Sequence, residues 1–367
     1  MEQIADRRTQ LAPSPQFSVE PLDMSKIKDG ILVRAPNWLG DAIMTIPALM
    51  QLKKMLPAHC GLFVICPSSL KELFEDMPIV NMTIALSDVH KKWSPKDIRI
   101  ISKLRAGVGI LFNNSLRDAF YLRRCGVSPL YGAAARCRGI LLKRSFKFPE
   151  RKCLELNQLH HTNKYLSIVK ALGAADWDGT LPEFIPKVPF EQINREILEL
   201  CEHSRLMTMA AGAAYGGSKR WASENFNAVA DWWIKQGGVV AVLGSGKEVD
   251  IGRKVAACLP ENKIFNFAGK TDMSELIYLL KNSRVCVAND SGIMHLAGAL
   301  GKSGVAIFGP TDWSATGPIA GNWKIVHEKQ PCAPCFKREC PKQNNTCMQV
   351  ITPKTVIEKI QEILSEH

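Results

Sequence analysis

The sequence predicts an α/β protein built as two doubly wound units, and three observations carry that prediction. Short apolar runs of strand type alternate with segments of helical spacing, the pattern of a parallel sheet covered on both faces. The alternation stops at a Pro- and Asp-containing stretch over 176–189 and then restarts. The chain has 367 residues, enough for two cores of ordinary domain size.

The elements follow in order. Run 31–35 precedes a helix over 41–54, in which Ile43, Ile46, Leu49, Met50 and Leu52 recur at helical spacing. Strands are predicted at 61–66, 79–86 and 107–112, with helices at 68–75 and 115–124. Beyond the linker, strands at 206–210, 239–243, 264–267, 285–288 and 305–308 alternate with helices at 223–236, 247–258, 272–282 and 291–300. A last helix over 353–365 opens on Thr352-Pro353 and is amphipathic through Val356, Ile357, Ile360 and Ile363. The domain reading is a loose tail over 1–28, a unit over 29–180, and a second unit over 181–351. Helix 352–367 is expected to pack back across the domains.

Composition narrows the function classes. With 46% hydrophobic and 22% charged residues, disorder, collagen and a disulfide-stapled miniprotein are excluded for most of the chain. Lys and Arg number 47 against 35 Asp and Glu, a net charge of +12 that calls for an anionic partner. Nucleic acid, a phosphorylated glycolipid and a nucleotide all qualify. The N-terminus lacks the apolar core of a signal peptide, and no run approaches the roughly 20 apolar residues of a membrane span. The expected compartment is the cytoplasm, where the 12 cysteines are thiols or metal ligands rather than bridges.

Three strand-to-helix turns carry the polar residues. The turn Ala35-Pro36-Asn37-Trp38-Leu39-Gly40-Asp41 stands at the carboxyl end of its strand, where open α/β sheets bind ligands. Asp41 either caps the following helix or faces the cleft as a general base. The loop 211–221 presents Lys219 and Arg220 after a run of small residues. It has Ser-Lys where a phosphate-binding P-loop needs Lys-Ser/Thr, so it offers an anion site of another kind or a solvated basic loop. In Asn289-Asp290-Ser291-Gly292, a strand ends and a helix starts at once. Its amides and dipole favour a diphosphate, Asp290 can accept from sugar hydroxyls, and His295 lies one turn on. The alternative is a plain helix cap with a packed His295. The turn Gly309-Pro310-Thr311 follows the next strand and is placed to line the same cleft.

Together these segments resemble glycosyltransferase family 9, the lipopolysaccharide heptosyltransferases, and most closely its type II members. The resemblance spans about residues 29–362. It rests on Gly40-Asp41-Ala42, Lys219-Arg220-Trp221, Gly244-Ser245, Asn289-Asp290-Ser291-Gly292 with His295, and Gly309-Pro310-Thr311. It implies a GT-B fold with two Rossmann-like units facing a central cleft, the acceptor on the first and an ADP-heptose donor on the second. Asp41 falls on the family's proposed base, Lys219 on its donor-phosphate lysine, and Asp290, Ser291, Gly292 and His295 on its donor loop. Glu248 is the offset residue that could contact the ribose, a position the resemblance leaves open.

The implied reaction is inverting transfer of heptose from ADP-heptose to a heptose of the lipopolysaccharide inner core. Types I and III, acting on other core acceptors, are the alternatives within the family. Asn114, Ser115 and Arg117 are named as acceptor contacts, within a basic region that suits an anionic glycolipid at the cytoplasmic face of the inner membrane. No cofactor is required, since no D-x-D metal motif stands at the donor loop. Cys332, Cys335, Cys340 and Cys347 could enclose a structural zinc ion, but the second pair is not a C-x-x-C, and a local structural role is preferred. A nucleic-acid-binding protein with a zinc knuckle is the reading from another class. It is disfavoured by 7% aromatic content without basic–aromatic interleaving. A nucleotide-sugar binding protein in which Asp41 is dispensable is the third.

Overall fold

The computed structural model describes residues 3–4, 17–27, 29–86, 88–89, 91–154, 158–187 and 189–366. A two-residue strand, β1 (Gln3–Ile4), comes first. It is followed by β2 (Gly30–Arg34), α1 (Leu39–Met55), β3 (Gly61–Pro67), α2 (Lys71–Glu75), β4 (Met82–Leu86) and α3 (Pro95–Lys103). Next come β5 (Val108–Leu111), α4 (Leu116–Arg124), β6 (Leu130–Ala133), β7 (Arg144–Phe146) and α5 (His161–Ala171). The chain divides into two compact units between Lys187 and Val188, seven residues after the boundary read from sequence.

In the first unit, β4-β3-β2-β5-β6-β7 form a six-stranded sheet in which every pairing is parallel. Counted from β2, this is the doubly wound order 3-2-1-4-5-6, so the winding reverses between β2 and β5. Its central strands β2 and β5 are buried on both faces, and Leu32, Ile65, Leu111 and Leu122 meet in one core.

The second unit runs α6 (Arg195–Cys201), β8 (Leu206–Ala210), α7 (Ser223–Lys235), β9 (Val239–Val242), α8 (Val249–Ala256), β10 (Ile264–Asn266) and α9 (Met273–Asn282). It continues through β11 (Val285–Asn289), α10 (Gly292–Ala299), β12 (Gly304–Phe308), α11 (Trp313–Thr316), β13 (Trp323–His327), α12 (Thr346–Gln349) and α13 (Pro353–Ser365). Its sheet order is β1-β13-β12-β11-β8-β9-β10, with β1 antiparallel on the edge and the other pairings parallel. Counted from β8, the parallel part again reads 3-2-1-4-5-6, with its reversal between β8 and β11. Both halves predicted from the alternation are therefore doubly wound.

One expectation is corrected. The segment 1–28, read as a loose tail, is in part tied down. Gln3 and Ile4 pair with Lys324 and Trp323, and Phe17 packs edge-on against Phe146 and Phe148 at 5.0 and 5.3 Å. Residues 5–16 of that segment lie outside the described residues. The last helix lays its apolar face on the second unit's own core. Val356, Ile360 and Ile363 are buried there with Trp221, Phe226 and Trp233, each contributing about 1.5–3 kcal/mol. The Trp221 indole N–H also donates to the Ile351 carbonyl at 2.9 Å, fixing the approach to that helix.

Candidate functional site

In the first unit, the polar residues gather where the winding reverses. Arg34 ends β2 fully buried, and its Nε donates to Asp118 Oδ2 at 2.8 Å. Its other nitrogens donate to Asn37 Oδ1 at 2.7 Å and to the Ala35 carbonyl, so one guanidinium holds the turn that leads to Asp41. Asp118 also accepts from Asn113 Nδ2 at 2.6 Å and from Arg117 Nε at 3.1 Å. Burial by itself would push the Asp118 carboxyl up, but the Arg34 charge and the bonds from Arg117 and Asn113 outweigh it and hold it below the usual range. The network ties the turn after β2 to the turn after β5, the two neighbouring strands at the switch point.

Asp41 lies in the first turn of α1, half-buried, and Trp38 rather than Asp41 holds the N-cap position. A carboxylate in that turn complements the helix dipole. Helix α5, which the periodicity did not reveal, brings two titratable groups to it. Burial pushes the Lys164 ammonium down, and the Asp41 charge pulls it back up. Burial and the same carboxylate push the Tyr165 phenol up. Of the acceptor candidates, Ser115 caps α4 by accepting from the Asp118 amide at 3.1 Å. Arg117 also donates to the carbonyls of Val89 and Lys91. Asn114 stands beside them in the same turn, exposed.

The second unit repeats the plan. At the end of β11, Asn289 is fully buried and donates to the Ala211 carbonyl at 2.7 Å. Its Oδ1 accepts from the Trp221 amide at 3.2 Å, so this side chain couples the loop after β8 to the loop after β11. Lys219 Nζ then reaches Asp290 Oδ2 at 2.6 Å, joining residues 71 positions apart, with side chains 13% and 5% exposed. Thr311 Oγ1 donates to the same oxygen at 2.7 Å, bringing in the Gly309-Pro310-Thr311 turn after β12. The Lys219 ammonium also sits 4.8 Å from the centre of the Tyr215 ring.

Ser291 caps α10 and accepts from the Met294 amide at 3.4 Å. Helix geometry leaves the Gly292 and Ile293 amides at the positive end of the dipole without intrahelical partners. The arrangement offers an anion one paired lysine and a helix N-terminus on a polar floor. Glu248 accepts from the Ser245 amide and hydroxyl at 2.7 and 2.8 Å. It presses against Gly212, where an added Cβ would sit 1.9 Å from its Oε1.

His295 is buried, with Nε2 4.0 Å from Asp290 Oδ1. Burial depresses its pKa to about 4, against a partial pull upward from Asp290. The imidazole is neutral at pH 7. The unfolded chain therefore takes up this proton first, near pH 6.5, and stability falls as pH drops from there toward 4. His295→Asn is expected to flatten that part of the stability curve, read by denaturant titration at steps between pH 4 and 7.

The four clustered cysteines are free thiols. Cys347 is buried, and burial together with the nearby Cys332, Cys335 and Cys340 pushes its thiol up. The Asn345 amide, followed by those of Lys342, Asn344 and Gln343, draws the Cys340 thiol down. Among the described residues, no group of three His, Cys, Asp or Glu side chains is disposed to hold a metal ion.

The profile of glycosyltransferase family 9 (heptosyltransferase) matches residues 98–346. The chain is 28% identical over 361 residues to lipooligosaccharide heptosyltransferase 2 of Haemophilus influenzae, covering 92% of this chain and 99% of that protein. The solved structure of the Escherichia coli ADP-heptose lps heptosyltransferase II superposes with a TM-score of 0.75 at 22% identity, covering 92% of this chain and 99% of that one. A family 9 glycosyl transferase from Veillonella parvula superposes at 0.76 with 19% identity, over 94% and 99%. The fold is thus GT-B, two doubly wound units in one chain. With a family match over most of its length and the polar side chains gathered at both switch points, the chain belongs to glycosyltransferase family 9 and is a glycosyltransferase.

Proposed function

We propose that this enzyme moves heptose from ADP-L-glycero-β-D-manno-heptose to a heptose of the lipopolysaccharide inner core, with inversion at the anomeric carbon. The observation that carries the reading is the set Lys219, Asp290, Thr311 and the α10 N-terminus at the switch point of the second unit. A diphosphate fits that chemistry. Glu248 is the carboxylate suited to the ribose hydroxyls. The acceptor hydroxyl attacks the anomeric carbon, its proton passes to Asp41, and the bond from that carbon to the diphosphate oxygen breaks with the electron pair leaving on ADP. Lys219 and the α10 amides stabilise the charge that grows there. Asn114, Ser115 and Arg117 stand in the turn suited to the acceptor.

Purified protein incubated with ADP-heptose and a panel of truncated core glycolipids is expected to give a product one heptose heavier only with heptose-bearing inner-core acceptors. No mass gain across the panel would sink the reading, and gain on a heptose-free core would move it to a type I activity. Turnover is expected to survive dialysis against EDTA, because the leaving charge is met by Lys219 and helix amides.

The proposal includes a cytoplasmic location with peripheral contact at the inner membrane. No helix among the described residues is long and apolar enough to cross a membrane. Leu116, Phe120 and Ile140 are exposed, Ile140 by 88%, in the neighbourhood of exposed Arg123, Arg124, Arg136 and Lys143. Apolar side chains among cations suit an anionic lipid surface. Flotation with phosphatidylglycerol vesicles should carry the protein up, whereas pure phosphatidylcholine vesicles should not.

A further inference from the structure

The cysteine-rich segment does more than bridge β13 to α12: its stretch 336–339 docks along the Lys219 loop. Tyr215 Oη donates to the Phe336 carbonyl at 2.9 Å. The Ser218 amide donates to the Arg338 carbonyl at 3.1 Å, and the Ser218 hydroxyl donates to the Lys337 carbonyl. The Gly217 amide donates to Glu339 Oε1 at 3.1 Å. Gly216 admits this contact because an added Cβ would lie 2.2 Å from the Arg338 carbonyl oxygen. The result places a second cation on the ring that already carries Lys219: the Arg338 guanidinium lies 5.3 Å from the Tyr215 ring centre, against 4.8 Å for the Lys219 ammonium.

The charge balance gives this second cation a task. Lys219 is paired with Asp290 at 2.6 Å, so those two side chains together carry no net charge. The helix N-terminus offers only about half a positive charge, while a sugar diphosphate brings two negative ones. Arg338 is exposed, and no carboxylate among the described residues forms an ion pair with it. The neighbouring acid, Glu339, is used on the Gly217 amide. A planar guanidinium held on an aromatic ring loses little freedom when it takes a phosphate oxygen in bidentate fashion.

The geometry points to Arg338 as a second diphosphate-binding residue of the donor site, carried there by the cysteine-rich segment and held by Tyr215. This rests on the nucleotide-sugar reading of the same site. The test compares ADP with adenosine, which keeps the base and ribose but lacks the diphosphate. Arg338→Met is expected to weaken ADP binding by about 10-fold or more and to leave adenosine binding unchanged. Arg338→Lys should recover part of the loss. Lys337→Met, which removes a neighbouring exposed cation, should change neither ligand by more than about twofold.

Unchanged ADP affinity in Arg338→Met overturns the proposal. Equal losses for ADP and adenosine also overturn it, since they would mark a packing role for the loop. An effect of Lys337→Met as large as that of Arg338→Met would do the same, showing only a general surface potential. Failure of the function reading shows separately, as absence of heptose transfer by the wild-type chain.

Discussion

Asp41→Asn is expected to slow turnover by about 10³-fold while ADP-heptose affinity stays within about twofold of wild type. The substitution keeps the shape of the side chain in the first turn of α1 and removes its ability to take a proton. The proposed diphosphate set of the second unit, Lys219, Asp290 and Thr311 beside α10, is joined by its own bonds. The loss should therefore fall on kcat, with donor affinity measured separately by titration. A parallel loss of donor affinity would show that Asp41 faces the nucleotide and would remove it from the role of base. Asp41 is not an isolated carboxylate, since Lys164 and Tyr165 on α5 both feel its charge. Lys164→Met should thus lower kcat less than Asp41→Asn does, and shift the acid limb of the pH–rate profile.

Lys219→Ala should cost both function and stability. Asp290 is 5% exposed, and removing its cation leaves a buried carboxylate without its ion-pair partner. Breaking one side of such a buried pair costs about 3–5 kcal/mol, read as a lower denaturation midpoint at unchanged slope. Donor affinity and turnover should fall together, because the diphosphate loses the ammonium and the Asp290 charge turns against it. The double variant Lys219→Met with Asp290→Asn separates the two effects. Neutralising both partners should return most of the stability, and it should leave turnover low. Full recovery of turnover would mean that Lys219 serves the fold alone.

The reading of individual elements from sequence depended on how local their signals were. Strands β2, β3, β8, β9, β11 and β12 are short apolar runs bounded by polar turns, and each lies within a residue or two of its expected place. Helix α3 escaped notice although it carries a full capping box, Ser94 with Asp97, and a Pro in its first turn. That signal was present, and the helix still escaped because it is only nine residues long and mostly polar or charged. Helix α5 carried less warning. Its N-cap is His160, whose ring nitrogen accepts from the Thr162 amide at 3.2 Å, a task normally given to Ser, Thr, Asp or Asn. Strands β6 and β7 lack a continuous apolar run, since β6 carries Gly132 and β7 opens on Arg144-Ser145. Missing α5 meant missing Lys164 and Tyr165 beside Asp41.

The candidate turns were legible because turn chemistry is local: small residues, a carboxylate, a cation and a helix start can be read from a dozen positions. Their partnerships could not be. Two strands become neighbours through pairing that ignores separation along the chain, and only the order 3-2-1-4-5-6 sets β8 beside β11. That adjacency closes the Lys219–Asp290 pair across 71 positions. The cysteine-rich segment shows the same division more sharply. Its side chains suggested a local structural role with a metal as the lesser alternative, whereas most of its contacts with the Lys219 loop run through the backbone carbonyls of Phe336, Lys337 and Arg338, groups that every residue type shares. Side-chain identity is written in the sequence, but a carbonyl acquires a role only when folding brings a donor to it.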